Sequence, residues 1–264
     1  MLRRLGWLIT AFALLYLGYA SLMIWLHPRF IYPFYPDTFS ASGFKAFDVA
    51  VDGAEPLPVQ VARGRKGAPT VVYFMGNVGS LKLFRAMLEH HRAAGRHVVA
   101  MPYRGGGGVP GEPSESTLKR DALAVFDALP KLGVSGPVIV QGYSLGTGLA
   151  LQVASHRKLA GVILAAPYEK MCQLMTAASF LPACILPGVQ RWDSAALAPA
   201  VSDPVLILHG NKDALIPMSH GQNLAQLLPD ARFVKIDGAG HTNLFGTKPY
   251  LAKIDAFISQ VSGQ

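Results

Sequence analysis

A chain of 264 residues has room for one large α/β domain and a short appendage. Its 51% hydrophobic content is high for a soluble enzyme, and its formal net charge of +8 favours anionic surfaces such as a membrane face or an acidic lipid. No Lys/Arg-rich tract or aromatic-basic array marks a nucleic-acid site, and no Cys/His cluster has zinc-like spacing.

Leu5 to Leu26 carries no charged residue and follows Arg3 and Arg4. That length crosses a bilayer as a helix, and Trp7, Tyr16, Tyr19 and Trp25 include aromatics near both ends, where interfacial rings are favoured. Two readings compete. Gly18-Tyr19-Ala20 is a small-x-small site for signal-peptide cleavage, but the apolar run continues past it, which favours an uncleaved signal anchor over residues 1–27. Arg3, Arg4 and the α-amino group precede the run, and only Arg29 lies close behind it. The positive-inside rule therefore puts the N-terminus in the cytoplasm and the rest of the chain beyond the membrane, in the periplasm of a bacterium.

Residues 28–43 form a connector rich in proline and aromatics, where Pro28, Pro33 and Pro36 exclude a continuous helix. The domain proper is expected over residues 44–264. Phe44 to Val51 and Pro56 to Ala62 alternate as a half-buried antiparallel pair. Thr70 to Met75, Val98 to Pro102, Val138 to Tyr143, Val162 to Ala166 and Val205 to Leu208 are continuous apolar runs suited to strands covered on both faces. Helix-like stretches lie between or after them: Leu81 to Ala94, Thr117 to Leu129, Leu145 to Ser155, Ser219 to Leu228 and Lys248 to Ser259. This alternation implies a mostly parallel, doubly wound sheet, hence an α/β fold. Residues 168–200 interrupt it with Met171, Leu174, Met175, Phe180, Leu186 and Trp192, and read as a small cap able to pack on the domain or to hold an acyl chain. Cys172 and Cys184 lie within it; outside the cytoplasm they could pair, and spacing alone leaves this open.

Three segments carry chemistry. Gly142-Tyr143-Ser144-Leu145-Gly146 joins a strand to a helix. There a serine sits on a strained turn with its Oγ lifted clear of the sheet, and the following N–H, that of Leu145, points at a developing oxyanion. Asp213 closes the loop after the Val205 strand, and His241 follows Gly238-Ala239-Gly240 after the last strand. The order Ser, acid, His is the one this fold uses, and strand ends are where open α/β sheets bind ligands. Ser144 is then nucleophile, His241 base and Asp213 the orienting carboxylate. Asp193, Asp203, Asp230 and Asp237 compete for the last role, and His209 is a second histidine on the wrong side of the chain order, read as loop support.

Together with Tyr73 to Ser80, Tyr103-Arg104-Gly105 and Gly111 to Glu115, these segments resemble the α/β-hydrolase superfamily over roughly residues 44 to 260, within it the membrane-anchored, serine-aminopeptidase-like branch. The resemblance implies an α/β-hydrolase fold with a helical cap, and makes the Asn77 N–H the second oxyanion donor. This chain departs from the family at Met75, where members usually carry histidine, and at Gly105 to Gly108, where an aromatic is more usual and four glycines suggest a mobile rim. The activity expected is hydrolysis of an ester or thioester with an apolar acyl part, without metal or organic cofactor. Acyl transfer, peptide cleavage, and a catalytically idle scaffold at the membrane are the alternatives.

Overall fold

Residues 2–263 are described by a computed structural model; Met1, with its α-amino group, and Gln264 lie outside the described residues. The strands are β1 (Lys45–Val51), β2 (Ala54–Ala62), β3 (Thr70–Phe74), β4 (His97–Met101), β5 (Val138–Tyr143), β6 (Gly161–Ala165), β7 (Val205–Gly210) and β8 (Ala231–Ile236). They join in one sheet in the order β1-β2-β4-β3-β5-β6-β7-β8, with β1 and β2 antiparallel and β4 through β8 parallel. Every residue of β3, β4, β6 and β7 is buried, which is why these strands read as unbroken apolar runs.

The helices are α1 (Leu2–Ile31), α2 (Arg85–Ala93), α3 (Glu115–Asp127), α4 (Leu145–Ala154), α5 (Met171–Ser179), α6 (Ser194–Leu197), α7 (Met218–Leu227) and α8 (Lys248–Ser262). One face of the sheet carries α2 and α8, joined where Asp255 meets His90 and Arg96. The other carries α3, α4, α6 and α7 in succession. The fold is thus a doubly wound α/β sheet, as the strand-helix alternation predicts.

The helix α1 corrects the expected break at Pro28. It runs on to Ile31 through that proline. A proline removes the N–H that would bond to the carbonyl four residues back, here that of Ile24. The His27 side chain fills the gap: its Nδ1 donates to Ile24 O at 2.5 Å, while its Nε2 accepts from the Gln190 N–H at 3.1 Å. Arg3–Ile31 is, among the described residues, the one helix long and apolar enough to cross a membrane.

The expected mobile rim is also corrected. Gly105 to Gly108 packs under the connector, with the Gly107 N–H donating to Tyr35 O at 2.8 Å. A Cβ on Gly106 would stand 2.6 Å from Gly79 O, and one on Gly108 2.8 Å from Thr38 Cγ2. The glycines admit the connector where any side chain would clash. In the cap, Cys172 and Cys184 are joined as a disulfide with their Cα atoms 4.9 Å apart. Trp192 is buried, and its Nε1 donates to Tyr32 Oη at 3.0 Å, tying cap to connector.

A buried histidine couples this fold to pH. Arg96 Nη1 donates to His91 Nδ1 at 2.9 Å, so the ring proton sits on Nε2 and goes to Gln141 Oε1 at 2.8 Å. Burial, then the Arg96 charge, lowers the His91 pKa to about 3. The unfolded chain therefore binds a proton that the folded one refuses between roughly pH 3 and 6.5, and stability falls as pH drops through that window. Replacing His91 with Gln should reduce the slope of unfolding free energy against pH between 5 and 6 by about 1.4 kcal/mol per unit. Urea titrations of the purified chain measure it, and parallel slopes for both proteins would refute it.

Candidate active site

The elbow is built by exclusion. Ser144 has φ 51° and ψ −117°, a left-handed conformation costly for a residue with a Cβ. A Cβ on Gly142 would lie 2.3 Å from Gly146 O, and one on Gly146 2.2 Å from Phe74 O. Only glycine at both places lets β5, β3 and α4 close around the turn. Two hydrogen bonds pin it: the Ser144 N–H donates to Ala165 O at 2.9 Å, and Thr147 Oγ1 donates to Ser144 O at 2.6 Å.

His241 reaches this serine because a third glycine gives way. Gly210 ends β7, and a Cβ there would stand 2.2 Å from Ala239 O. The loop after β8 folds against that strand end, with the Lys212 N–H donating to Ala239 O at 2.8 Å. Asn243 Oδ1 accepts from the Gly240 N–H at 2.7 Å. The result is a line of contacts: His241 Nε2 lies 3.0 Å from Ser144 Oγ, and His241 Nδ1 lies 2.7 Å from Asp213 Oδ2. Since the carboxylate can only accept, Nδ1 carries the proton in the neutral ring, which leaves Nε2 to accept from the serine hydroxyl.

Asp213 is buried, as is Ser144. Burial by itself lifts the carboxyl pKa, but hydrogen bonding from His209, His241 and the Ile216 amide outweighs it and holds Asp213 well below the usual range. Its Oδ1 accepts the N–H groups of Leu215 at 3.0 Å and Ile216 at 2.8 Å. His209 acts across a longer gap: its Nε2 stands 3.5 Å from Asp213 Oδ2 and donates to Ile216 O at 2.9 Å. It braces the loop that presents the acid. Three of the competing carboxylates are engaged elsewhere, and the fourth lies at the opposite end of its strand from the site. Asp193 caps α6, Asp203 accepts the Leu159 N–H, Asp237 binds Asn211 and Lys235, and Asp230 precedes the start of β8.

Asn77 follows β3 and Leu145 opens α4, the two positions from which main-chain N–H groups were expected to face an oxyanion. Among the described residues neither N–H donates to an acceptor in another segment of the chain. The loop support missing at Met75 comes from another residue: Tyr103 Oη donates to Met75 O at 2.7 Å. A second residue went unforeseen. Tyr143 Oη donates to His241 O at 2.6 Å, and its ring centroid lies 5.3 Å from that of His241. Burial, then the Asp213 charge, raises the Tyr143 pKa, so it remains a donor. The only signal was its place beside Ser144 in the motif. No group of three or more His, Cys, Asp or Glu among the described residues has the arrangement of a metal site.

Residues 176–246 match the family model described as alpha/beta hydrolase fold, and residues 59–170 match that of an alpha/beta hydrolase of unknown function. Both matches are to α/β hydrolases, and the chain has the α/β-hydrolase fold. Human protein ABHD12B is 29% identical over 63% of this chain and 52% of its own length. Lysophosphatidylserine lipase ABHD12 of Xenopus tropicalis is 29% identical over 63% of this chain and 48% of its own. The chain thus spans about half the length of the curated relatives it matches. The esterase Pf2001 of Pyrococcus furiosus superposes with a TM-score of 0.71 at 16% identity, covering 86% of this chain and 96% of that one, a likeness of fold.

Proposed function

We propose that the chain is a membrane-anchored serine hydrolase that cleaves a carboxylic ester or thioester with an apolar acyl group through an acyl-enzyme on Ser144. His241 Nε2 takes the proton of Ser144 Oγ as that oxygen attacks the carbonyl carbon. Asp213 holds the ring and stabilises the imidazolium. The N–H groups of Asn77 and Leu145 receive the oxyanion. Collapse expels the alcohol or thiol, which leaves with the proton from His241. Water, deprotonated by the same nitrogen, then attacks the acyl carbon, releases the acid and restores Ser144. The scheme calls for no metal or organic cofactor.

The observation that carries this reading is the pair of contacts at 3.0 and 2.7 Å linking hydroxyl, imidazole and carboxylate. An apolar acyl ester is favoured by the membrane-length helix and agrees with the lipase and esterase names among the similar proteins. A fluorophosphonate probe tests the nucleophile: membranes holding the wild-type chain should be labelled, and those holding Ser144→Ala should not. Labelling that survives the substitution removes Ser144 from the role. A folded wild-type chain that never labels favours the idle scaffold.

The hydrolase domain lies outside the cytoplasm in this reading, with Arg3 and Arg4 inside. The disulfide supports that side, since such bonds persist in oxidising compartments. A reporter fused after Gln264 and active only outside the cytoplasm should be active; activity of a cytoplasm-only reporter there would reverse the topology.

A further inference from the structure

Between α1 and the cap runs a groove of about 310 Å³, walled by Met23, Ile24 and His27 on the helix and by Met175, Leu181 and Leu186 on the cap. None of Ser144, Asp213, His241, Asn77 or Leu145 lines it. The groove is apolar for a specific reason. The His27 ring spends both nitrogens elsewhere, on Ile24 O and the Gln190 N–H, and Ser179 Oγ donates to Met175 O. What faces the space is mostly carbon and sulfur.

The depth of this groove follows from α1. At 1.5 Å per residue, a hydrocarbon core of about 30 Å holds about 20 helical residues. Keeping both Arg4 and Arg29 out of that core leaves Leu5 to Pro28, so its outer edge falls near residue 24 or beyond. Tyr19 is then about 8 Å or more inside the edge. Its Oη donates to Ser179 O at 3.0 Å, at the end of α5. The cap is therefore drawn down beside the helix to the level of the acyl chains. Its composition suits that level: Met171 to Gln190 contains no charged residue. Phe180, at φ 60°, turns its ring outward with 88% of its surface exposed, and Ile185 is 77% exposed. In water two such side chains would be a liability; in a leaflet they are solvated.

We propose that the groove between α1 and the cap is a lipid-binding site, separate from Ser144, that takes one acyl chain directly from the outer leaflet. The proposal rests on α1 spanning the membrane. An apolar groove whose helix wall runs from Met23 to Phe30 opens at the outer edge of the hydrocarbon, where acyl chains reach it, and its volume lies at the small end of ligand pockets. The disulfide from Cys172 to Cys184 closes the cap segment that forms the outer wall.

The test uses the full chain in phosphatidylcholine vesicles carrying a diazirine on one acyl chain. After illumination, mass spectrometry should place lipid adducts on both walls, at Met175, Leu181 or Leu186 as well as at Met23 and Ile24. Ala178→Trp, which adds bulk to the groove wall, should reduce the cap adducts at least fivefold and leave those on Leu15 and Leu22 of the outer helix surface unchanged. Adducts on Leu15 and Leu22 with none on the cap would overturn the groove while leaving the anchor intact. Adducts on neither would overturn the anchor itself. Because the wild-type adduct map decides by itself, a misfolded variant does not rescue the proposal.

Discussion

Ser144→Ala is expected to lower kcat on a p-nitrophenyl acyl ester by about 10⁵–10⁶-fold with KM little changed, because the hydroxyl is used only once the substrate is bound. His241→Ala should cost about as much, since an unassisted serine is a poor nucleophile at neutral pH. Asp213→Ala should cost less, of the order of 10⁴-fold. The reasoning is geometric. Asp213 reaches the reacting atoms only through His241 Nδ1, at 2.7 Å, while His241 meets Ser144 Oγ itself, at 3.0 Å. Losses within one relay do not add, so Ser144→Ala combined with His241→Ala should be no slower than either alone. Multiplying losses in the double variant would mean that the two side chains act independently, and the relay would have to be abandoned. Purified variants with unchanged thermal unfolding make the comparison clean.

How far such a site is readable without coordinates depends on what holds each part. The parallel strands were legible because burial on both faces leaves little alternation, mostly Val, Ile, Leu and Ala in runs such as Val138-Ile139-Val140. The elbow was legible because a steric demand at Gly142 and Gly146 admits a single residue type. Asp213 and His241 were nominated by chain order and strand ends. Side-chain support was not legible. Nothing in the pattern shows that Tyr103 holds up Met75, or that Tyr143 holds the carbonyl of His241, because a tyrosine hydroxyl finds its partner only after distant segments meet. Pro28 misled for a related reason. A proline ends a helix when the freed carbonyl has no other donor, and the donor here, His27, is itself oriented by Gln190 from 163 residues away. The glycine run misled because conformational freedom in a sequence becomes close packing once a connector lies across it.

The second large effect lies in a buried ion pair beneath that same loop. Arg104 Nε donates to Asp121 Oδ2 at 2.8 Å, and Arg104 Nη2 donates to Glu55 O at 2.6 Å, fastening the end of β4 to α3 and β2. Both side chains are buried, and among the described residues Asp121 Oδ1 has no hydrogen-bond partner, only Arg120 Nη2 at 3.7 Å. Burial raises the Asp121 pKa, and the Arg104 hydrogen bond and charge only partly offset it. Removing either partner should destabilise the chain by about 3–5 kcal/mol, because the survivor is a buried charge stripped of its close partner, with only the half-exposed Arg120, 3.7 Å from Asp121 Oδ1, left beside the carboxylate. Arg104→Met with Asp121→Leu should recover most of that loss, since two apolar side chains of similar volume incur no desolvation. The single variants are distinguished by pH. In Arg104→Met the buried carboxyl, left with only Arg120 beside it, takes up a proton in the folded state above its unfolded pKa, so stability falls as pH rises through that window and the deficit shrinks on acidification. In Asp121→Ala the guanidinium stays charged, and its deficit does not shrink. Urea unfolding of wild type, both singles and the double at pH 7 and pH 5 measures all of this. A double variant as unstable as the sum of the singles would show that the two residues stabilise the fold separately, with no coupling through the pair.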